Sequence, residues 1–422
     1  MRSVKEGTTL SYILKDLILS RGEIPFAEFM DIALYYPELG YYSSERVKIG
    51  KAGDYFTSTS VHTVFGELIC KQLEEMWHIT GGKGFSIVEM GAGDGTLCYD
   101  ILNAAKERYP SFYEMLQYII IEESEGLRKA QQERMMICHP EPYAEHRFSI
   151  VSGSIGSGDP ETMLNRVQHK VRNDMVDDKV IWTDTSDPLF HQGITGCFLS
   201  NELVDAFPVH IVEMRDGKLK EVYIGIKDDI FTEVIDTLSS PEIEGYFERL
   251  GIELHEGQRA EVNLRAVEWV KWVAGSLKKG FVVTIDYGYP AEELYAPDRS
   301  KGTLLCYHKH RVVEDPFINI GEQDMTSHVD FTTLMMTGEG CGLMTAGFTD
   351  QMHFLFGLGI GKSIEEIGEK ASTEDDALSA RLLIKNLIMP GRMGNVFKVL
   401  VQYKGLDSEP ELSGLNKNPF AF

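Results

Sequence analysis

Short apolar runs and longer helical repeats alternate along most of this chain. Runs typical of buried strands cover residues 85–90, 117–122, 179–182, 196–201, 280–286, 347–349 and 396–400. Segments with apolar residues at helical spacing are 8–35, 64–77, 128–136, 240–279, 331–337 and 364–389. Strands that alternate with helices are typical of a parallel sheet with helices on both faces. The pattern therefore predicts an α/β doubly wound fold.

Local signals add detail to this outline. Asp216-Gly217 predicts the two-residue turn of an antiparallel hairpin between Val209 and about Gly225. Residues 139–178 mix Pro, Gly and charge, which indicates an insertion with its own small elements. Residues 403–422 are polar and contain Pro and Gly, so a loose tail is predicted there.

The first apolar run leads into a turn with three glycines. Residues 85–90 are followed by Gly91, Gly93 and Gly95, and a helix is expected from about Thr96. Glycine lets the backbone turn sharply and lie against a ligand, because it has no Cβ. A strand, a glycine turn and a helix in this order open a nucleotide-binding sheet. The alternative is a tight turn that binds no ligand.

Glycine spacing and two nearby acids distinguish between ligands. A dinucleotide-binding turn has the spacing G-x-G-x-x-G, whereas here the third glycine comes one residue earlier. Glu89 and Asp94 flank the turn, and a carboxylate about 4 Å from a phosphate would cost roughly 4 kcal/mol at an effective dielectric of about 20. The turn therefore favours a ligand with a positive centre. S-adenosyl-L-methionine, which carries an ammonium and a sulfonium, is such a ligand.

The second apolar run supports the same ligand. It ends in Glu122, and an acid at the tip of this strand hydrogen-bonds ribose hydroxyls in nucleotide-binding sheets. Because Glu123 and Glu125 follow, Glu122 taken alone is equally compatible with the start of a solvated loop. Together with Glu89 and the glycine turn, it indicates an adenosyl cofactor, with the methyl donor favoured over NAD.

Polar residues also follow the run at 196–201. Asn201, Glu202 and Asp205 stand where side chains at the carboxyl edge of a doubly wound sheet face the ligand crevice. We therefore predict that these three are catalytic, beside the transferred methyl group. The alternative is a capping turn in which Asn201 or Asp205 starts the next helix.

A glycine-rich segment precedes the first strand of the sheet. Residues 49–57 contain Gly53, Asp54 and Thr57 and lead towards the long helix predicted at 64–77. This placement predicts a lid over the cofactor that these three residues help to form. A plain surface connection is the alternative.

Composition limits the possible partners. The chain has 422 residues, with 65 acidic and 41 basic side chains and a formal net charge of −24. Nucleic-acid binding requires Lys and Arg to neutralise phosphates, so the balance argues against nucleic acid. An acidic protein instead attracts a partner or substrate that presents basic groups.

Cysteine usage and the apolar runs predict the cellular setting. The six cysteines stand singly, which indicates reduced thiols in a cytoplasmic protein. Neither a signal peptide nor an apolar run of about 18 residues is recognisable, so no membrane span is expected. His308 and His310 have no third ligand at suitable spacing, and we expect solvated loop histidines and no metal site.

The motifs, taken in order, resemble those of the MidA family of S-adenosyl-L-methionine-dependent methyltransferases. That family includes mitochondrial protein-arginine methyltransferases that help to assemble respiratory complex I. The matching segments span nearly the whole chain and are 36–42, 53–57, 65–67, 89–95, 122–124, 127–128, 201–208, 285–288, 302–304, 306–307, 323–326, 328–331, 393–394 and 397–400.

The resemblance implies a class I (Rossmann-like) methyltransferase sheet with an inserted α+β substrate subdomain and N-terminal helices. It also implies S-adenosyl-L-methionine at Glu89, Gly91, Gly93 and Glu122, with the 53–57 loop closing over it. The expected divisions are a helical segment and lid (1–80), a cofactor-binding core with an insertion at about 139–178 (81–208), the remaining core with the substrate subdomain (209–402) and the tail (403–422).

The resulting hypothesis is methyl transfer to a nitrogen, with an arginine side chain of a protein as the favoured acceptor. Glu202 and Asp205 would pin one guanidinium nitrogen and so raise the nucleophilicity of another. Two alternatives are a small-molecule methyltransferase and a cofactor-binding assembly factor without turnover. Thr59 and Ser60 stand where the family usually has Pro-Glu, which keeps the second alternative open.

Overall fold

The structure, a computed structural model, describes residues 9–44, 58–137, 179–309, 311–370 and 374–416. Its strands are β1 (Ile24–Pro25), β2 (Phe85–Met90), β3 (Leu116–Ile121), β4 (Val180–Thr183), β5 (Ile194–Asn201), β6 (His210–Arg215), β7 (Lys218–Lys227), β8 (Ile230–Asp236), β9 (Arg259–Val262), β10 (Leu277–Tyr289), β11 (Leu305–His308), β12 (Arg311–Val313), β13 (Asp324–Thr326), β14 (Val329–Asp330), β15 (Met344–Asp350) and β16 (Phe397–Lys404).

Within the described residues, helices alternate with these strands through most of the chain. They are α1 (Thr9–Arg21), α2 (Phe26–Tyr35), α3 (Ser58–Val61), α4 (Val64–Thr80), α5 (Thr96–Arg108), α6 (Pro110–Met115), α7 (Glu125–Ile137), α8 (Pro188–Gln192), α9 (Pro241–Leu250), α10 (Leu264–Ser276), α11 (Ala291–Leu294), α12 (Phe331–Gly340), α13 (Gln351–Leu358), α14 (Ile360–Lys370), α15 (Glu374–Ile388) and α16 (Met393–Val396). Two short 3₁₀ turns, Val204–Ala206 and Ser413–Leu415, complete them.

A central sheet organises the molecule, with the strand order β4-β3-β2-β5-β10-β16-β15. The strands from β4 to β10 pair in parallel, and β16 runs antiparallel between β10 and β15. The order reverses at β2, because β3 lies on one side of it and β5 on the other. Ligands bind beyond the carboxyl ends of the strands at such a reversal. The predicted α/β, Rossmann-like sheet is confirmed.

Helices cover both faces of this sheet. Successive side chains of a strand point to opposite faces, so Ile87 and Val88 of β2 belong to different cores. Ile87 packs with apolar residues of α4 and α5, whereas Val88 packs with those of α10 and α12. Both β2 side chains are fully buried, which explains the continuous apolar run in the sequence.

A second, five-stranded sheet consists of four strands inserted between β5 and β10 and of the N-terminal strand β1. Its order is β1-β7-β6-β9, with β8 paired to β7. The predicted hairpin is confirmed, because β6 and β7 pair antiparallel around Asp216 and Gly217, whose φ values of 51° and 66° suit a two-residue turn. This sheet, together with α9, forms the inserted α+β subdomain.

The N-terminal helices belong to the inserted subdomain rather than to a unit of their own. Leu14 of α1 and Phe29 of α2 pack in one core with Val222 and Ile224 of β7. In contrast, α4 packs against the central sheet. The span 1–80 is therefore shared between two cores.

The loose tail expected at 403–422 is wrong for the described residues. Strand β16 extends through Lys404, and residues 412–415 pack against α4 and α13. The Glu75 carboxylate accepts hydrogen bonds from the Ser413 amide and hydroxyl at 3.0 and 3.1 Å, and Gln72 Oε1 accepts one from the Gly414 amide at 3.0 Å. Residues 417–422 lie outside the described ranges.

Candidate cofactor and acceptor site

A cavity of about 1600 Å³ opens at the carboxyl ends of β2, β3 and β5, where the strand order reverses. One side is lined by the glycine turn and by residues 121–127, and we call it the cofactor side. The other is lined by Asn201, Glu202 and residues 206–208, with parts of α2 and α10, and we call it the acceptor side. The sheet thus brings four of the predicted cofactor residues (Glu89, Gly91, Gly93 and Glu122) and two of the predicted catalytic residues to one cavity, whereas Gly95 is not among the residues that line it.

The glycine turn has the left-handed backbone that its sequence predicts. Gly91, Gly93 and Gly95 have φ values of 71°, 54° and 81°, a region in which L side chains are strained. Space is also restricted, since a Cβ on Gly91 would lie 2.8 Å from the Leu203 Cδ1 atom. The turn therefore requires glycine for both backbone conformation and close packing.

Asp94 does not act as a free charge on the turn, which corrects the sequence argument. Its carboxylate forms an ion pair with Arg134 of α7. Asp94 Oδ1 also accepts hydrogen bonds from the Thr96 amide at 3.1 Å and the Thr96 hydroxyl at 2.6 Å, at the start of α5. Glu89 and Glu122 remain as the carboxylates that favour a cationic ligand.

Glu89 lies at the base of the cofactor side and is almost fully buried. Its Oε2 atom accepts a hydrogen bond from the Tyr118 hydroxyl at 2.7 Å. Burial raises the pKa of Glu89 to about 7, the Tyr118 hydrogen bond opposes this, and the charges of Asp94 and Glu122 add to the rise. A cation bound here would favour the ionised carboxylate.

Glu122 is held at the tip of β3 by residues that sequence reasoning missed. Its two oxygens accept hydrogen bonds from the Ser124 amide at 2.9 Å and from Gln131 Nε2 at 3.0 Å. Gln131 is fully buried, and its Nε2 also donates to the Gly93 carbonyl at 2.9 Å. One side chain of α7 thereby joins the acid to the glycine turn.

Glu202 follows β5 on the acceptor side and has an unusual backbone. Its φ of 53° is left-handed, and strain of this kind in a non-glycine residue is concentrated at functional sites. Glu202 Oε1 accepts hydrogen bonds from the Ser58 amide at 2.9 Å and from Asn201 Nδ2 at 3.1 Å. Burial raises the pKa of Glu202 to about 8, and the charge of Asp205 adds to it.

Asp205 is not among the residues that line the cavity. It is buried, and burial raises the pKa of Asp205 to about 6, while the nearby Tyr287 hydroxyl opposes the rise. Its Oδ1 and the Oδ1 of Asn201 have no hydrogen-bond partner among the described residues. Neither residue caps a helix through its side chain, because the 3₁₀ turn Val204–Ala206 has no side-chain cap.

The remaining predictions concern the lid and metals. Gly53, Asp54 and Thr57 lie outside the described residues, as do His310 and the whole of the 139–178 insertion. Thr59, at a departure from the family pattern, lines the cavity. In the ranges that the structure describes, no three His, Cys, Asp or Glu residues are grouped to hold a metal. None of the described helices is long and apolar enough to span a bilayer.

The cofactor side fits S-adenosyl-L-methionine by its chemistry. Glu89 offers a carboxylate for the ammonium, Gly91 and Gly93 have no Cβ to block the approach of the ligand, and Glu122 offers acceptors for ribose hydroxyls. When bound, S-adenosyl-L-methionine supplies an electrophilic methyl carbon attached to a sulfonium. The residues present are therefore compatible with this cofactor.

Comparison with known proteins agrees with the geometry. Residues 68–349 match a family model described as "Putative S-adenosyl-L-methionine-dependent methyltransferase". The chain is 28% identical to the mitochondrial protein arginine methyltransferase NDUFAF7 homolog of Drosophila melanogaster, covering 94% of this chain and 85% of that protein. It is 26% identical to NDUFAF7 of Danio rerio, covering 94% and 88%.

A solved structure is similar over nearly its full length. It is a protein from Burkholderia thailandensis crystallised with S-adenosyl-homocysteine, with a TM-score of 0.79, 28% identity and coverage of 97% of this chain and 94% of that one. The family model matches more than half of this chain, and the expected resemblance is confirmed. The chain therefore belongs to this family of S-adenosyl-L-methionine-dependent methyltransferases.

Proposed function

We propose that this methyltransferase modifies a guanidinium nitrogen of an arginine side chain in a protein substrate. The observation that carries the proposal is the arrangement of Glu202. Its carboxylate lines the cavity, and both internal donors, the Ser58 amide and Asn201 Nδ2, bind the same oxygen, Oε1. The second oxygen, Oε2, is left to accept a hydrogen bond from a cationic acceptor group.

The charge of the cavity supports a cationic acceptor. Among the described residues that line it, ten are acidic and a single one, Arg265, is basic. Three of the ten acidic residues, Asp31, Glu38 and Glu322, come from segments of the chain far from the glycine turn. A cleft with one sign of charge attracts ligands of the opposite sign, and the net charge of −24 acts in the same direction.

The size of the cavity supports a protein substrate over a small molecule. Pockets for drug-sized ligands measure roughly 300 to 1,000 Å³, whereas this one is about 1600 Å³. A cofactor of ordinary size leaves room for a side chain and part of its backbone. The relatives named protein arginine methyltransferases, at 25–28% identity, support the same acceptor class.

The roles of the residues follow from the chemistry. Methylation forms a nitrogen–carbon bond and breaks the carbon–sulfur bond, and the attacking nitrogen loses a proton. Glu202 Oε2 orients the guanidinium and accepts that proton, and a carboxyl group whose pKa is about 8 is suited to accept it near neutral pH. Holding the nitrogen in line with the methyl carbon supplies much of the acceleration.

The test compares the wild-type protein with Glu202→Gln and uses tritiated S-adenosyl-L-methionine and cell-extract proteins. We expect label in methylarginine after acid hydrolysis, a loss of about 1,000-fold in the Glu202→Gln protein and a cofactor Kd within about threefold of wild type by calorimetry. Glu244→Gln, exposed on α9 and not among the residues that line the cavity, is the matched control and should keep its rate.

Other outcomes decide against the proposal. Label recovered only in the small-molecule filtrate would indicate a small-molecule methyltransferase. Cofactor binding without label in any component would indicate a binding protein without turnover. Equal labelling by wild type and Glu202→Gln would remove Glu202 from the mechanism.

A further inference from the structure

The turn that carries Glu202 is held by a carboxylate from outside the 201–208 segment. Asp286, near the end of β10, is fully buried. Its Oδ2 atom accepts hydrogen bonds from three consecutive backbone amides, those of Leu203 at 3.2 Å, Val204 at 2.9 Å and Asp205 at 3.3 Å. Its Oδ1 atom accepts one from the Tyr287 amide at 2.9 Å. Both oxygens therefore face backbone N–H groups.

These bonds stabilise a backbone that its own sequence disfavours. Glu202 has a φ of 53°, and the left-handed region costs a non-glycine residue of order 1 to 2 kcal/mol. The Glu202 amide donates to the Ile285 carbonyl at 2.9 Å, and the next three amides donate to Asp286. Residues 202–205 are thus fixed by two successive residues of the neighbouring strand.

The carbonyls of the same turn are fixed by other elements. The Val204 carbonyl accepts a hydrogen bond from Asn263 Nδ2 at 3.2 Å, the Asp205 carbonyl from the Ser327 amide at 3.0 Å, and the Ala206 carbonyl from the Tyr35 hydroxyl at 2.9 Å. Each of these three groups donates one hydrogen bond to the turn. Asp286 by comparison accepts hydrogen bonds from three amides of the turn through one atom, so it fixes more of the turn than any of the three does.

We infer that Asp286 is a positioning residue, which fixes the direction of the Glu202 carboxylate towards the acceptor. The inference rests on the proposed function, in which Glu202 contacts the acceptor nitrogen. An isosteric Asp286→Asn change tests it sharply, because an amide nitrogen donates and cannot accept. In either orientation of the amide, that nitrogen would face backbone N–H groups, and the turn must move.

A matched control is available in the other sheet. Glu261 of β9 is also buried, and its two oxygens accept hydrogen bonds from the amides of Thr303 and Leu304 at 2.9 to 3.2 Å. It does not line the cavity. Glu261→Gln therefore places an amide nitrogen opposite backbone N–H groups in the same way, without touching the turn at 202–205.

The experiment measures labelling from tritiated S-adenosyl-L-methionine into cell-extract proteins, cofactor affinity and a double-mutant cycle. We expect Asp286→Asn to lower the labelling rate about 100-fold while the cofactor Kd stays within about threefold. Because Asp286 acts through Glu202, Asp286→Asn combined with Glu202→Gln should be no slower than Glu202→Gln alone. Glu261→Gln, corrected for its folded fraction, should label at the wild-type rate.

Two results would overturn the inference. One is an Asp286→Asn protein that labels within threefold of wild type, and the other is a double variant in which the two losses multiply. If the wild-type protein transfers no label to any component, the proposed function fails. In that case the hydrogen exchange rates of the amides of residues 203–205 test the role of Asp286 separately. Protection that is lost in Asp286→Asn and retained in Glu261→Gln supports it, whereas unchanged protection contradicts it.

Discussion

The two sides of the cavity hold their polar groups in different ways. On the cofactor side, three carboxylates already have an internal partner, since Tyr118 donates to Glu89, Gln131 to Glu122 and Arg134 to Asp94. On the acceptor side, the backbone of the turn is bound firmly by Asp286. The Glu202 carboxylate, however, accepts its internal hydrogen bonds through Oε1 alone, and its Oε2 atom has no partner among the described residues.

This difference predicts which residues determine cofactor affinity and which determine the rate of methyl transfer. Partnered carboxylates are fixed in place before a ligand arrives, so less ordering is required on binding. An acceptor atom without a partner is available for a group that comes with the substrate. We therefore expect changes on the cofactor side to alter cofactor affinity, and changes on the acceptor side to alter the rate at saturating cofactor.

The largest effect on cofactor affinity is expected where the two sides touch. In Gly91→Ala, the left-handed φ of 71° becomes strained, and the new Cβ meets Leu203 of the acceptor turn at 2.8 Å. We expect cofactor affinity to fall about 100-fold by calorimetry, together with the labelling rate. Gly251→Ala has a similar φ of 65° and open space around the Cβ, and should keep wild-type affinity. Normal binding by Gly91→Ala would contradict this reading of the turn.

A smaller effect, confined to affinity, is expected from Gln131→Ala. The change removes the hydrogen bonds that join Glu122 to the Gly93 carbonyl. Cofactor Kd should rise about tenfold, with the rate at saturating cofactor unchanged. Gln258→Ala removes a buried glutamine with comparable bonds outside the cavity and is the control. A lower saturated rate for Gln131→Ala alone would break the separation between the two sides.

At saturating S-adenosyl-L-methionine, where the bound cation keeps Glu89 ionised, the pH dependence tests the acceptor side. The Glu202 carboxylate must be ionised to bind a guanidinium, and its pKa is about 8. Between pH 7 and pH 8, kcat/KM should therefore rise about fivefold and then level off. The residual rate of Glu202→Gln should lack this rise. A wild-type profile that is flat across the same range would exclude the carboxylate as the reactive form.

The smallest expected effect concerns stability. Burial raises the pKa of Glu202 from 4.5 to about 8, so the folded protein binds this proton more tightly than the unfolded chain. Stability contributed by that proton is present below pH 4.5 and is lost as pH rises towards 8. Glu202→Gln should therefore gain stability relative to wild type, by about 1 to 2 °C in Tm at pH 8 and less at pH 5. Thermal unfolding at the two pH values measures it, and an equal difference at both would contradict the assignment.

The cofactor side is largely predictable from sequence because its signals are local. Glu89, the glycine turn and Glu122 occur at strand ends that the apolar runs reveal, and the hairpin turn at Asp216-Gly217 is equally local. The family and the cofactor are confirmed. The roles of individual residues, the domain boundaries and the cytoplasmic location stay predictions.

The rest depends on contacts between distant segments, which a single sequence does not display. Asp286 meets residues 203–205 across the sheet, and Tyr35 reaches the Ala206 carbonyl from the N-terminal helices. The pairing of Asp94 with Arg134 is hidden in the same way, since helical spacing predicts α7 without showing which face meets the glycine turn. The polar residues after β16 predict a loose tail. They do not show that the segment forms hydrogen bonds to the surface of α4.

The packing of residues 412–415 against α4 and α13 has a practical consequence for protein engineering. Leu412 is buried, and a Cβ on Gly414 would lie 2.4 Å from the Phe354 ring, so the segment fills a shaped recess. Truncations meant to improve expression should stop after Asn416, because shorter versions would expose apolar surface and precipitate. An affinity tag with a flexible spacer placed beyond that residue would leave the recess intact.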